Sequence, residues 1–263
     1  MPRKFGKIRE PIISIKRIKR GVPEKEEWPM SFGKKERFIS NPLYLDTVVN
    51  INTKNKSPKI LIMGPGLGEE IIEFDSFLKT HKHINPQIES LGITNQLTKD
   101  ALKTVKKDHS LGIALEEIDP ENPIHKQAIK KLIGRFDYII APVSVGIHTR
   151  YPAYNCFLCA LALKPQGEAR INIMNPESIK SHMDLYKHQL TETSEQYTPT
   201  EIRNITANFK LAKLNYNQVS KIEKIIYRML NSYFKKDVKD QFFIKIRTDS
   251  SSKHQIIVIK RNY

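Results

Sequence analysis

The residues best arranged for chemistry are Gly64-Pro65-Gly66-Leu67-Gly68, which follow the apolar run ending at Met63 and precede Glu69-Glu70. Glycines at alternate positions let the chain turn sharply and let a ligand approach the backbone with no Cβ in the way. A loop of this kind belongs between the carboxyl end of a strand and the amino end of a helix, where a ligand can sit. The spacing differs from the dinucleotide pattern G-x-G-x-x-G, because Glu69 stands where the third glycine would fall. Two carboxylates at a helix start also oppose a pyrophosphate and favour a cationic or zwitterionic ligand. No Gly-Lys-Ser/Thr follows, which argues against a Walker-type phosphate loop.

The other chemically capable residues carry weaker signals. The segment Ala141-Pro142-Val143-Ser144-Val145-Gly146-Ile147-His148-Thr149-Arg150-Tyr151 follows an apolar strand pattern. In it His148 offers a base and Tyr151 an aromatic face; a solvated surface loop is the plain alternative. Cys156 and Cys159 form a single C-x-x-C inside the apolar stretch NCFLCALAL. A zinc site needs further ligands, so core packing on one helix face is expected, and no metal is expected elsewhere. His81 and His83 lie in a Lys-rich stretch and read as solvated, and His182 and His188 lack a ligand spacing. Trp28, in EEWPM, reads as a docking residue before it reads as a base-stacking one.

These residues need elements to position them, and the patterns supply an alternating series. Strands are expected over 59–63, 88–94, 111–118, 136–141 and 168–174, with helices over 69–79, 97–106, 123–133 and 152–163. A short helix is expected over 41–52, started by Pro42. Strands separated by helices of this length imply parallel βαβ units with helices on both sheet faces. Beyond 176 the chain is helical and more polar, with its clearest stretch over 219–234. There Val219, Ile222, Ile226, Met229, Leu230 and Tyr233 form an apolar stripe, and Lys221, Lys224 and Arg228 lie off it. FFIKIRT and HQIIVIK, joined by DSSSK, read as a closing β-hairpin.

With these pieces in place, the chain resembles the class I S-adenosylmethionine-dependent methyltransferases. ILIMGPGLGEE is similar to that family's first strand, G-x-G-x-G loop and acidic follower. GITNQLTKDALK, FDYIIA and LALKPQGEARINI are similar to its second strand and helix, its fourth strand, and its LLKPGG turn before the fifth strand, with Gln166 in place of the first glycine. The resemblance covers roughly 59–260. It implies a doubly wound α/β fold with a seven-stranded, mostly parallel sheet, ordered 3-2-1-4-5-7-6 and ending in an antiparallel hairpin. It implies binding of S-adenosylmethionine at Met63, Gly64, Pro65, Gly66, Leu67, Gly68, Thr94, Asn95, Asp119, Ala141 and Pro142. The sequence departs from the family pattern in places. Ile62 stands where an acid is common before the glycines, and Thr94 and Asn95 stand where an acid would hold the ribose. Glu89 is the alternative acid if strand two is read differently. APVS after strand four differs from the Asp/Asn/Ser-Pro-Pro-aromatic tetrad of nucleobase amino-methylating members. Methyl transfer from a sulfonium needs alignment above all, so no fixed triad is expected.

Composition bounds the setting. The 263 residues carry 44 Lys+Arg against 28 Asp+Glu, a net charge of +16. This surplus suits a polyanionic partner such as RNA, and equally suits a basic solvated surface. Residues 1–40 form a basic arm, and 41–263 a methyltransferase-like domain with a helical insertion at about 176–236. The arm and the basic helix carrying Lys221, Lys224, Arg228, Lys235 and Lys236 are the expected nucleic-acid contacts. No apolar run reaches the length of a bilayer span, and two cysteines imply no disulfide framework, so a cytoplasmic location is expected. Two functions compete: methyl transfer to an unknown acceptor, leaning to RNA or another polyanion, and non-catalytic nucleic-acid binding or scaffolding on a degenerate domain.

Overall fold

A computed structural model describes residues 42–66, 68–91, 97–109, 127, 130–142, 151–192, 196–248 and 254–263. The arm with Trp28, the strand expected over 111–118, most of the helix expected over 123–133, and Leu67, Thr94, Asn95, Asp119 and His148 lie outside these residues.

The elements run α1 (Pro42–Asn50), β1 (Lys59–Met63), α2 (Glu69–Lys82), β2 (Gln87–Leu91), α3 (Lys99–Thr104), β3 (Lys107–Asp108), β4 (Phe136–Ala141), α4 (Pro152–Ala162), β5 (Leu163–Met174), α5 (Pro176–Thr191), α6 (Pro199–Val219), α7 (Ile222–Phe234), β6 (Phe242–Thr248) and β7 (His254–Arg261). One seven-stranded sheet has the order β3-β2-β1-β4-β5-β7-β6. The strands from β1 to β5 pair in parallel, and β7 runs antiparallel to both β5 and β6. This is the strand order of the Rossmann-like methyltransferase fold.

Register decides which side chains share a face. Ile60, Ile62, Ile88 and Ile140 point to one side and pack with Leu43, Tyr44 and Val48 of α1 and Ile71, Phe74 and Leu78 of α2. Leu61, Met63, Ile139, Ala169, Ile171, Ile257 and Ile259 point to the other. They meet α4 and the Ile222, Ile226 and Leu230 stripe of α7. Each face is thus covered by helices, as a central parallel sheet requires.

Arg170 interrupts the first face. It lies on β5 and is 2% exposed. Its guanidinium reaches Asp46 of α1 at 2.5 Å and pairs with Glu168. Lys260 of β7 meets Glu168 at 2.8 Å, and Arg247 of β6 meets Asp46 at 3.2 Å. The network ties α1 to β5 and to the closing hairpin.

Three elements differ from expectation. Among the described residues the third position in the sheet is held by Lys107–Asp108, a strand the sequence did not suggest, and the strand expected over 111–118 lies outside these residues. Lys107–Asp108 is a two-residue polar strand, at the edge of the sheet among the described residues, with no hydrophobic alternation to reveal it. β5 begins at Leu163, five residues before the expected start, because Leu163 pairs with Phe136 ahead of an irregularity that resumes at Glu168↔Tyr138. Gln166 there has φ 66°, and a Cβ on Gly167 would stand 2.9 Å from the carbonyl oxygens of Lys164 and Phe136. Proline, a left-handed residue and an obligatory glycine make the start of a strand look like a turn. Finally, the helix expected over 219–234 is broken: α6 ends at Val219, Lys221 leaves helical geometry at φ −132°, and α7 restarts at Ile222. Its buried stripe stops at Leu230, and Tyr233 is 49% exposed.

Between β5 and α7 the insertion consists of α5 and α6, which pack along each other. Only Ile179 of α5 and Val219 of α6 are buried. Thr198 and Glu201 close a reciprocal capping box that starts α6.

Candidate functional site

The carboxyl ends of β1, β2 and β4 meet along one edge of the sheet. Met63 is in register with Leu91, and Ile62 with Ile140, which places Ala141 and Pro142 beside the tip of β1. The Gly64 N–H donates to the Leu91 carbonyl at 2.8 Å and holds the start of the loop against β2. Gly64, Gly66 and Gly68 have φ of 68°, 56° and 81°, so all three occupy the left-handed region that side chains disfavour. The Gly68 N–H donates to the Pro65 carbonyl at 3.0 Å and closes the turn into α2.

Gly66 and Gly68 are glycines for different reasons. A Cβ on Gly68 would stand 2.6 Å from the Ala101 Cβ and 2.7 Å from the Leu97 Cδ2, so this position is where α2 meets the segment leading into α3. A Cβ on Gly66 would meet nothing within 4 Å among the described residues. The loop therefore keeps one glycine for packing and presents another to open space. Gly68→Ala should cost about 2–3 kcal/mol of stability, from strain at positive φ together with overpacking. Urea denaturation measures it, and a loss below about 0.5 kcal/mol would contradict the packing role.

The acidic pair at the helix start is partly committed to structure. Tyr44 is buried, and its hydroxyl donates to Glu70. Burial first, then the neighbouring carboxylate, holds this phenol well above its ordinary pKa. Glu69 is half-buried in the first turn of α2. Met63 turns its side chain into the core, where the Cys159 Sγ stands 3.3 Å from its Sδ, so only its main chain belongs to the strand tip. Tyr151 is half-buried immediately before α4, and its carbonyl accepts from the Asn155 N–H at 3.1 Å.

Glu89 does not end β2. It is in mid-β2, in register with Leu61, and its carboxylate is taken by the His109 Nε2 and by Arg135 at 3.0 Å. The acid that ends the strand in the third position is Asp108, which accepts from the Ser90 Oγ at 2.8 Å. Sequence reasoning missed it because KKDHS carries no strand pattern; its only signal is a carboxylate next to a run of lysines.

Cys156 and Cys159 are fully buried on α4. Burial pushes the Cys159 thiol up to about 12 and the Cys156 thiol well above its usual value. Neither is a nucleophile at neutral pH. Native protein should resist iodoacetamide and take up two labels only on unfolding; mass spectrometry showing labelling of the folded chain would refute the burial. Among the described residues, no group of three His, Cys, Asp or Glu side chains is placed to hold a metal ion.

No family model matches the chain, and no curated protein matches it in sequence. Solved structures do resemble it. The plantazolicin methyltransferase BamL, in complex with a triazolic desmethylPZN analog and SAH, is 10% identical, with 86% of this chain and 84% of that one covered and a TM-score of 0.47. The CurJ carbon methyltransferase is 12% identical, with 86% and 54% covered and a TM-score of 0.44. A protein from Rhodobacter sphaeroides, described as a zinc-dependent alcohol dehydrogenase, is 13% identical, with 85% and 90% covered and a TM-score of 0.46.

Proposed function

We propose that this chain is an S-adenosylmethionine-dependent methyltransferase, acting on RNA or another polyanion. The observation that carries the reading is the open space at Gly66, at the tip of β1 and on the carboxyl-end edge of a 3-2-1-4-5-7-6 sheet. Ligands of open α/β sheets bind at this edge. The main chain of Gly64 to Gly68 would hold the ligand's amino-acid part, with Glu69 in the adjoining helix turn. Ala141 and Pro142, at the tip of β4, would border the reacting methyl group. When bound, the sulfonium supplies an activated methyl group and a neutral leaving group. The protein's share is then to fix the acceptor in line and keep water out, which is alignment rather than proton transfer. The net charge of +16 supports a polyanionic acceptor. Two cysteines held as thiols fit a cytoplasmic setting.

Calorimetric titration of the full chain with S-adenosylmethionine and S-adenosylhomocysteine tests the cofactor. Micromolar binding of both is expected. Binding of neither would remove the enzymatic reading and leave a scaffold built on the same fold.

A further inference from the structure

We propose that the groove between α7 and β6 is a track for single-stranded RNA. It rests on the polyanion reading of the acceptor, and it is independent of the cofactor site. The groove has a volume of about 790 Å³, and Lys221, Lys224, Arg228 and Lys239 line it. Glu223 is the single carboxylate in the lining, so four cations face one acid. None of the four cations forms an ion pair with a carboxylate among the described residues. Elsewhere on this chain, lysines and arginines do find acids: Lys79 meets Asp75, Lys164 meets Asp137, and Arg170 meets Asp46. The groove thus gathers positive charge and leaves it uncompensated.

The spacing suits a phosphate chain. Lys221, Lys224 and Arg228 fall at i, i+3 and i+7, which spans about 10 Å along the helix axis. A nucleic-acid strand carries one charge per roughly 3.4 Å of axis when stacked, so this span covers about three phosphate intervals. The wall between the cations is not purely ionic. Tyr227 is half-buried there, and its hydroxyl both donates to the Phe242 carbonyl at 2.9 Å and accepts from the Ile244 N–H at 3.3 Å. The ring is therefore fixed by two backbone partners on β6, beside Ile246. Fixed aromatic surface among cations is the combination that holds unpaired bases and their phosphates together.

Topology sets the direction. β5 and β6 both pair antiparallel with β7, so β6 runs the same way as β5. α7, which precedes β6, therefore starts at the carboxyl-end edge and puts Lys221 on the edge that carries Gly66. From β1 to β6 there are four strand intervals, about 19 Å. A strand anchored in the groove would have its next few nucleotides along that edge.

The test is fluorescence anisotropy of the full chain with a short labelled single-stranded RNA over a salt series. The wild type is compared with Lys221→Glu/Lys224→Glu/Arg228→Glu, whose three positions are exposed. Circular dichroism and S-adenosylmethionine titration run alongside to report folding and the cofactor site. The variant should bind RNA roughly tenfold or more weakly at low salt, and its log–log salt slope should be shallower by about two, at about 0.7 per lost phosphate contact. A folded variant that keeps wild-type affinity and slope overturns the groove while leaving the polyanion reading intact. A wild type that ignores RNA at low salt overturns both. Equal binding of polyglutamate or of anionic phosphatidylserine vesicles overturns the assignment to nucleic acid. In each case the cofactor titration reports separately on the methyltransferase reading.

Discussion

Gly66→Arg should leave a folded chain that no longer holds S-adenosylmethionine. The position is exposed, and a Cβ there meets no atom of the described residues within 4 Å, so the substitution displaces none of them. Its conformational cost comes from φ 56°, about 1–2 kcal/mol for a side chain in the left-handed region. In a domain of this size that lowers Tm by a few degrees. The guanidinium would fill the space argued to receive the ligand, and would set a positive charge against a sulfonium. Affinity should fall by at least about a hundredfold, or roughly 2.7 kcal/mol. Calorimetry on the variant, with circular dichroism for folding, checks both halves. Wild-type affinity in a folded Gly66→Arg chain would show that the ligand, if any, lies elsewhere.

The largest stability effect is expected at Arg170. This guanidinium is 2% exposed and stands between Asp46 and Glu168, the latter itself buried. Arg170→Ala would leave Glu168 with Lys260 alone and Asp46 with Arg247, and would open a cavity beneath α1. Removing one member of a buried ion pair costs about 3–5 kcal/mol, mainly because the other charge is stranded. Thermal unfolding should move down by about 10 °C. Replacing both members, as Arg170→Met with Glu168→Gln, should recover most of the loss, since the penalty is the uncompensated charge. A single-variant loss under about 1 kcal/mol would mean that α1 is held by Leu43, Tyr44 and Val48 without help.

What the sequence revealed follows from how each element announces itself. KILIM, FDYIIA and the two strands of the closing hairpin are apolar runs or alternations bounded by breakers, and the structure places them as strands at or close to the expected residues. α2 and α4 show helical periodicity and begin where expected, at Glu69 and Pro152. β3 could not be read, because Lys107 and Asp108 are in the sheet through main-chain pairing and the Ser90–Asp108 hydrogen bond, neither of which leaves a pattern. The break between α6 and α7 was hidden because Val219 and Ile222 are both buried, so the apolar stripe runs on across a change of direction. At the site, the glycine spacing pointed to the loop. The division of labour between Gly66 and Gly68 did not appear in the sequence, since it depends on Ala101 and Leu97 approaching from a distant segment.

The sheet order also has a consequence for how the chain is made. β7 lies between β5 and β6, and among the described residues β6 has no other neighbour in the sheet. During synthesis Phe242–Thr248 emerges with nothing to join, and β5 keeps a bare flank of hydrogen-bonding groups until Arg261 has left the ribosome. That half of the molecule locks in one late event, and a nascent chain stalled before His254 would present two sticky edges to its neighbours.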